Sequence, residues 1–242
     1  MGLGAFGPDI GNLTLMTWCM RDREMFLDVL QELVVSMMHY NYPRIGGVKR
    51  DIPIGFADRM IAKVKLFEKR IEEYEMMLDE STIWLVRLQG VGYANAEEMV
   101  DAGVSGPNVR AAGVNYDIRW AHPYSVYDEI DWEPAVEKPT SVKGADCYDR
   151  YRVRIEEMRQ SCRMVLDAIE KIPGGKNTNY ASGDEMIFTK APTRAPEGAT
   201  GFSNYECTRG ASQFYIQGGG EGRGKMPYRL SIRSPMFITI PF

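Results

Sequence analysis

Soft metal ligands are scarce in this chain: two histidines and four cysteines among 242 residues. Cys19, Cys147, Cys162 and Cys207 form no C-x-x-C pair. If Cys147 and Cys162 share one helix they lie about 22 Å apart, too far for a common metal or a disulfide. The cysteines are therefore expected to act as small apolar residues in a reducing compartment. No run approaches the roughly 18 apolar residues that a membrane span needs. No opening stretch reads as a signal peptide, so any membrane association is expected to run through partners. An excess of basic residues is also missing. The net charge of −4 argues against a nucleic-acid or anionic-membrane surface.

The 44% hydrophobic content is enough for a chain of this length to bury roughly 70–75% of its unfolded surface in one core. Asn12 to His39 reads as a long, mostly buried helix, followed by a Gly- and Pro-containing loop over residues 41–55. Met60, Val64, Phe67, Ile71, Tyr74 and Leu78 recur at three-to-four-residue steps, which predicts a second helix from about Ala57 to Glu80. Asn95 is placed to cap a short helix ending at Gly103. Residues 104–142 are irregular, a third long helix spans about Ala145 to Ile172, and 173–203 reads as a linker. The β runs SNYEC, SQFYIQ and PYRLSI make residues 204–242 a β-rich tail. The expected fold is mainly α with a small C-terminal β appendage, in one domain over 1–242 with its helical core at 1–172.

Two nucleotide-like motifs are set aside. Gly2-x-Gly4-x-x-Gly7 has no preceding strand and no βαβ context to present a helix N-terminus to a pyrophosphate. Gly219 to Lys225 approximates a P-loop, but Met226 stands where magnesium binding requires Ser or Thr. A flexible hairpin turn is the expected role there.

The most informative stretch is Asp146 to Arg163, DCYDRYRVRIEEMRQSCR. It has helical spacing, yet its charges are dense and interleaved with Tyr148, Tyr151, Val153, Ile155 and Met158. Taken alone it fits a surface helix stitched by pairs such as Asp146–Arg150 and Arg152–Glu156. Elsewhere along the chain stand Arg44-Ile45-Gly46-Gly47-Val48 with Asp51-Ile52-Pro53. Ser105-Gly106-Pro107 follows, with Arg110, Gly113, Asp117, Arg119, Pro123, Tyr124 and Tyr127. Glu206 to Gly210 and Pro227-Tyr228-Arg229 complete the set. Together these resemble the quinone-site (D-type) component of NADH–quinone oxidoreductase, respiratory complex I. That component belongs to the large-subunit family shared with nickel–iron hydrogenases. The motif order suggests a partial chain covering roughly the middle two thirds of the family pattern. The hairpin His and the Tyr that face the quinone in relatives are not placed in it.

The resemblance implies a peripheral-arm subunit forming part of a quinone-reduction cavity beside the terminal iron–sulfur cluster of a partner. Quinone would be the substrate, the cluster would belong to the partner, and NADH would bind elsewhere in the complex. Implied partners are the B-type and C-type subunits and a membrane-arm subunit, with no nucleic acid. The implied location is the cytoplasmic face of a prokaryotic membrane, held through those partners. Alternatives are a membrane-bound hydrogenase-type large subunit, and a docking scaffold with no quinone site of its own.

Asp9, in P-D-I-G-N-L-T, has two readings. It could cap the first helix, or by resemblance it is the quinone-chamber carboxylate that pairs with a His and delivers protons to reduced quinone. His39 is either a dipole partner at a helix C-terminus or, by resemblance, the titratable base beside the cluster. His122 is expected to be structural. Leu13, Met16 and Met20 lie at i, i+3 and i+7 on one helix face, which suits core packing or, with Met38, an adaptable apolar quinone wall. Arg44, Gly46 and Gly47 are expected at the interface with the cluster-bearing partner, the glycines permitting close approach.

Overall fold

The computed structural model describes residues 1–44, 47–49, 51–172, 196–219 and 226–240. It is about half helical with a small sheet near its C-terminal end, as the residue pattern predicts. The described residues fall into two compact units. One comprises residues 1–84 and 161–172, the other residues 85–160 and 196–240.

The first unit opens with α1 (Gly2–Ile10), a helix the Gly- and Pro-containing sequence does not advertise. Its glycines have a packing reason. A Cβ at Gly4 would come within 2.6 Å of Cys19 Cβ, and one at Gly7 within 2.6 Å of the Asn12 carbonyl oxygen. The glycines of the supposed dinucleotide motif thus let α1 lie close against α2 (Leu13–Val34). Gly11, at φ 96°, makes the corner between them, a conformation that glycine adopts without Cβ strain. Asn12 caps α2, its side chain accepting from the Leu15 N–H at 3.1 Å. The helix ends at Val35, not at His39 as its apolar pattern suggests. Val35 adopts φ 64° while its N–H bonds the Gln31 carbonyl. Two β-branched residues and a serine propagate a helix poorly here. Strands β1 (Pro43–Arg44) and β2 (Gly47–Val48) then pair antiparallel.

Helix α3 (Phe56–Asp79) follows the predicted register closely, burying Val64, Ile71, Tyr74 and Leu78. It packs on α2 through Phe26 against Phe67, ring centroids 5.1 Å apart, and through the Arg59–Glu32 ion pair. Helix α4 (Thr82–Leu88), absent from the periodicity reading, brings Trp84 edge-on to Phe6 at 5.7 Å.

In the second unit, Asn95 caps α5 (Ala96–Asp101) in a reciprocal capping box with Glu98. The 104–142 segment is irregular but contains two short helices, α6 (Pro107–Ala111) and α7 (Ile118–Ala121). Met99, Val104, Val109, Ala111, Ala145 and Val153 belong to its apolar core. The long helix α8 (Cys147–Glu170) runs through residues of both units. Strands β3 (Thr200–Cys207), β4 (Gly210–Gly218) and β5 (Pro227–Arg233) form an antiparallel sheet in that order, followed by α9 (Pro235–Thr239). Residues 173–195 of the expected linker and 220–225 of the P-loop-like turn lie outside the described residues.

Helix α8 is a packed helix, with Tyr151, Val153 and Ile155 each 4% exposed or less. The local pairs expected on it give way to tertiary partners. Asp146 is buried and caps the helix, accepting from the Tyr148 and Asp149 N–H groups at 2.9 Å and from Gly90 N–H at 2.9 Å. Arg150 donates to the Gly92 carbonyl at 2.6 Å, and Arg152 pairs with Glu137 at 3.3 Å.

Candidate functional site

The residues expected to face substrate gather along α2. Asp9 stands exposed in the last turn of α1, so it does not cap the helix that follows; Asn12 does. Around the Gly11 corner, Leu13, Met16 and Met20 are 64%, 38% and 38% exposed. The opposite side of the same helix is buried at Leu15, Cys19 and Asp22. The methionine stripe is therefore not core. It is an exposed apolar face that begins just past the Gly11 corner, with Asp9 exposed on the α1 side of that corner.

His39 and Met38 lie past the other end of α2, a helix about 33 Å long at 1.5 Å per residue. Both are exposed, and the His39 N–H donates to Ser36 Oγ at 3.2 Å. His39 is thus not the terminal residue of a helix facing its dipole. The structure divides the expected site into two groups at opposite ends of α2: Asp9, Leu13, Met16 and Met20 at one, Met38 and His39 at the other. Arg44 and Gly47 follow the second group in the β1–β2 ribbon. Gly46 lies outside the described residues. His122 is the exposed residue closing α7.

Behind the apolar face, Asp22 is 4% exposed and held from two sides. Tyr74 Oη donates to its Oδ2, and Arg21 donates to both oxygens at 2.8 and 3.1 Å. Burial, then the bond to Asp22, pushes the Tyr74 phenol well above its ordinary pKa. The signal for Asp22 was its position at i+7 from Leu15 and i+3 from Cys19, an acid interrupting the buried stripe.

The second unit contains a polar hub. Arg110, 2% exposed, donates to Glu157 Oε1 from Nε at 3.1 Å and Nη2 at 2.5 Å. Its Nη1 reaches Asp117 Oδ2 at 3.0 Å, Glu206 Oε1 at 3.1 Å and the Tyr116 carbonyl at 3.1 Å. Burial opposes the guanidinium charge, but Glu157, Asp117 and Glu206 outweigh it and raise its pKa. Arg119 holds the other side of Asp117 at 3.0 and 2.8 Å and lies over the Trp132 ring at 4.7 Å. Burial pushes the Glu206 carboxyl up, with Asp117 adding and Arg110 opposing. Nearby, Gly106 at φ 80° meets Gly210 so closely that a Cβ would fall 2.4 Å from its Cα, and Ser105 Oγ accepts from Ala211 N–H at 2.9 Å. The S-G-P and E-x-x-R-G segments, a hundred residues apart, thus build one structure.

A second uncovered apolar face lies on the sheet. Ile216 pairs with Leu230 and Phe214 with Ile232, and Ile216, Tyr228, Leu230 and Ile232 are 46–58% exposed. Among the described residues no group of three or more His, Cys, Asp or Glu side chains converges as metal ligands. No helix among them is long and apolar enough to cross a membrane.

A family model described as the 49 kDa subunit of respiratory-chain NADH dehydrogenase matches residues 9–242. A D-type NADH-quinone oxidoreductase subunit of Rhizobium etli is 34% identical over 98% of the chain. Its counterpart from Thermodesulfovibrio yellowstonii is 38% identical, also over 98%. The chain spans 61% and 62% of those two relatives. A solved chain from the membrane-bound sulfane sulfur reductase, an archaeal respiratory membrane complex, superposes with a TM-score of 0.80 at 27% identity. That likeness covers 98% of this chain and 61% of the other.

Proposed function

The chain belongs to the family of the 49 kDa subunit of respiratory-chain NADH dehydrogenase, and on that premise we propose that it is a core subunit of a complex I-like quinone oxidoreductase. The observation that carries this reading is the apolar face of Leu13, Met16 and Met20, left exposed on α2 just past the Gly11 corner from the Asp9 carboxylate. A quinone ring needs apolar walls, and its reduction needs a group that holds or delivers protons at one end. Flexible, polarizable methionines suit a wall that accepts ring and tail alike. Asp9, exposed at the corner, supplies the proton-handling carboxylate. Met38, past the far end of α2 with His39, is an apolar residue of the separate group on the donor side.

His39 is the titratable base toward the electron donor. Electrons come from an iron–sulfur cluster in a B-type partner, which His39 faces together with Arg44 and Gly47 of the β1–β2 ribbon, Gly46 being assigned to the same interface by resemblance. A cation near the cluster favours the added electron, so protonation of His39 follows reduction. The four cysteines of this chain are free, two of them buried, and the cluster ligands are assigned to the partner. The uncovered sheet face suits burial against C-type or membrane-arm subunits. Attachment to the cytoplasmic face of the membrane then goes through those neighbours, and NADH binds elsewhere in the assembly. Electron transfer to quinone drives proton translocation in the membrane arm.

The likeness to a chain of a sulfane sulfur reductase favours a second reading, in which the same face receives a sulfur compound instead of quinone. Assembled complex carrying Asp9→Asn tests the site. Quinone reduction is expected to fall about 10- to 100-fold, in the range of general acid–base contributions, while the cluster still reduces normally. Unchanged quinone turnover, or turnover with sulfane sulfur alone, overturns the quinone assignment. In the same preparation, His39→Ala is expected to flatten the pH dependence of the cluster's midpoint potential. An unaltered slope removes His39 from that role.

A further inference from the structure

Arg154 stands apart from the other arginines in the middle of α8. Arg150, Arg152 and Arg159 each donate to an acceptor. Arg154 is partly buried and has neither a hydrogen bond nor an ion pair among the described residues. Its nearest carboxylate on the helix, Glu157 at i+3, is committed to Arg110 through two bonds to one oxygen.

The same clamp fixes what lies opposite. Arg110 joins Glu157 to Glu206, and three residues beyond Glu206 is Arg209, at the two-residue tip between β3 and β4. Arg209 is exposed and likewise has no hydrogen bond or ion pair among the described residues. The Arg110 clamp therefore joins the stretch of α8 that carries Arg154 to the strand that leads into Arg209. The electrostatics agree. Burial lowers the Arg154 pKa, Glu157 works against that, and Arg209, Arg110 and Arg150 lower it further. A partly buried cation that feels three other arginines and only one carboxylate, itself bound to Arg110, is costly unless something pairs with it.

We propose that Arg154 and Arg209 form a binding site for one oxyanion, a phosphate or a carboxylate, between α8 and the tip of the β3–β4 hairpin. Planar guanidinium forks match both anions through paired N–H···O bonds. The site lies in the second unit and is independent of the quinone reading.

The test is thermal unfolding of the 242-residue chain in inorganic phosphate and in acetate, each against chloride at equal ionic strength. The wild-type midpoint is expected to rise saturably, by about 2–4 °C for each kcal/mol of linked binding. Arg154→Met should lose that rise and, in chloride, melt no lower than wild type, because it removes an unpaired charge. Arg209→Ala, at an exposed tip, keeps the fold and should weaken the response even if Arg154→Met does not fold. A saturable response to phosphate at lower concentration than acetate assigns a phosphate. An equal response to both assigns a carboxylate-type site. If wild type and variants rise in parallel, the effect is general salt exclusion and the proposal fails. It fails equally if neither anion shifts the wild type.

Discussion

Arg110 and Met16 come from the two units of one chain and are treated oppositely by it. Arg110 is 2% exposed, with three carboxylates and a carbonyl around its guanidinium. Met16, an apolar residue that burial would favour, is 38% exposed on a helix whose other side is sealed. In the second unit Arg110, Asp117 and Glu206 turn inward and bond one another, with Glu206 Oε2 left buried and without a hydrogen bond among the described residues. In the first, the candidate site residues Asp9, Leu13 and His39 are exposed. Burying a charge network is expensive, and this one commits its cation to three carboxylates of the chain itself, so the hub reads as architecture. Leaving an apolar stripe in water forfeits burial, and it is sustained where a substrate or partner covers it.

The largest effect expected from breaking this contrast is in the hub. Arg110→Met leaves Asp117, Glu157 and Glu206 without their shared cation and should cost roughly 3–5 kcal/mol, read as a lower urea midpoint. A loss below about 1 kcal/mol would show that the network is dispensable to the fold. A smaller effect is expected at Tyr74→Phe, which removes one donor from buried Asp22 and should cost about 1–3 kcal/mol. The raised phenol pKa gives this change a pH signature. The folded state keeps the Tyr74 proton beyond the unfolded phenol value of about 10, so its stabilisation is complete below that pH and is lost as pH rises above it. The variant should lose stability less steeply in that alkaline range, as equilibrium unfolding at several pH values would reveal.

Much of the fold was legible. The apolar steps from Met60 to Leu78 located α3, and the three β runs located the sheet, because burial on one face imposes period 3.6 or 2 on the sequence. The end of α2 was hidden. Val-Val-Ser-Met-Met-His continues an apolar pattern, and nothing in it announces a left-handed Val35, a strained state for a β-branched residue. Helix α1 was hidden because glycine and proline ordinarily signal loops; here Gly4 and Gly7 serve close helix contact. On α8 the expected i,i+4 pairs yielded to Gly92 and Glu137, since tertiary partners outweigh local pairs worth tenths of a kcal/mol. The hub was half legible. The motif marked Arg110, Asp117 and Glu206, but their meeting with Glu157 spans up to 96 positions and has no periodic trace.

The central claim is that the outward face of α2 is a wall for substrate and not merely spare surface. Met16→Trp addresses it directly, because an exposed position absorbs a larger side chain with a stability change within about 0.5 kcal/mol. In the assembled complex the account predicts that the quinone KM rises about tenfold or more, while the melting temperature and cluster reduction stay unchanged. An unaltered quinone KM in a complex that carries the tryptophan would contradict it.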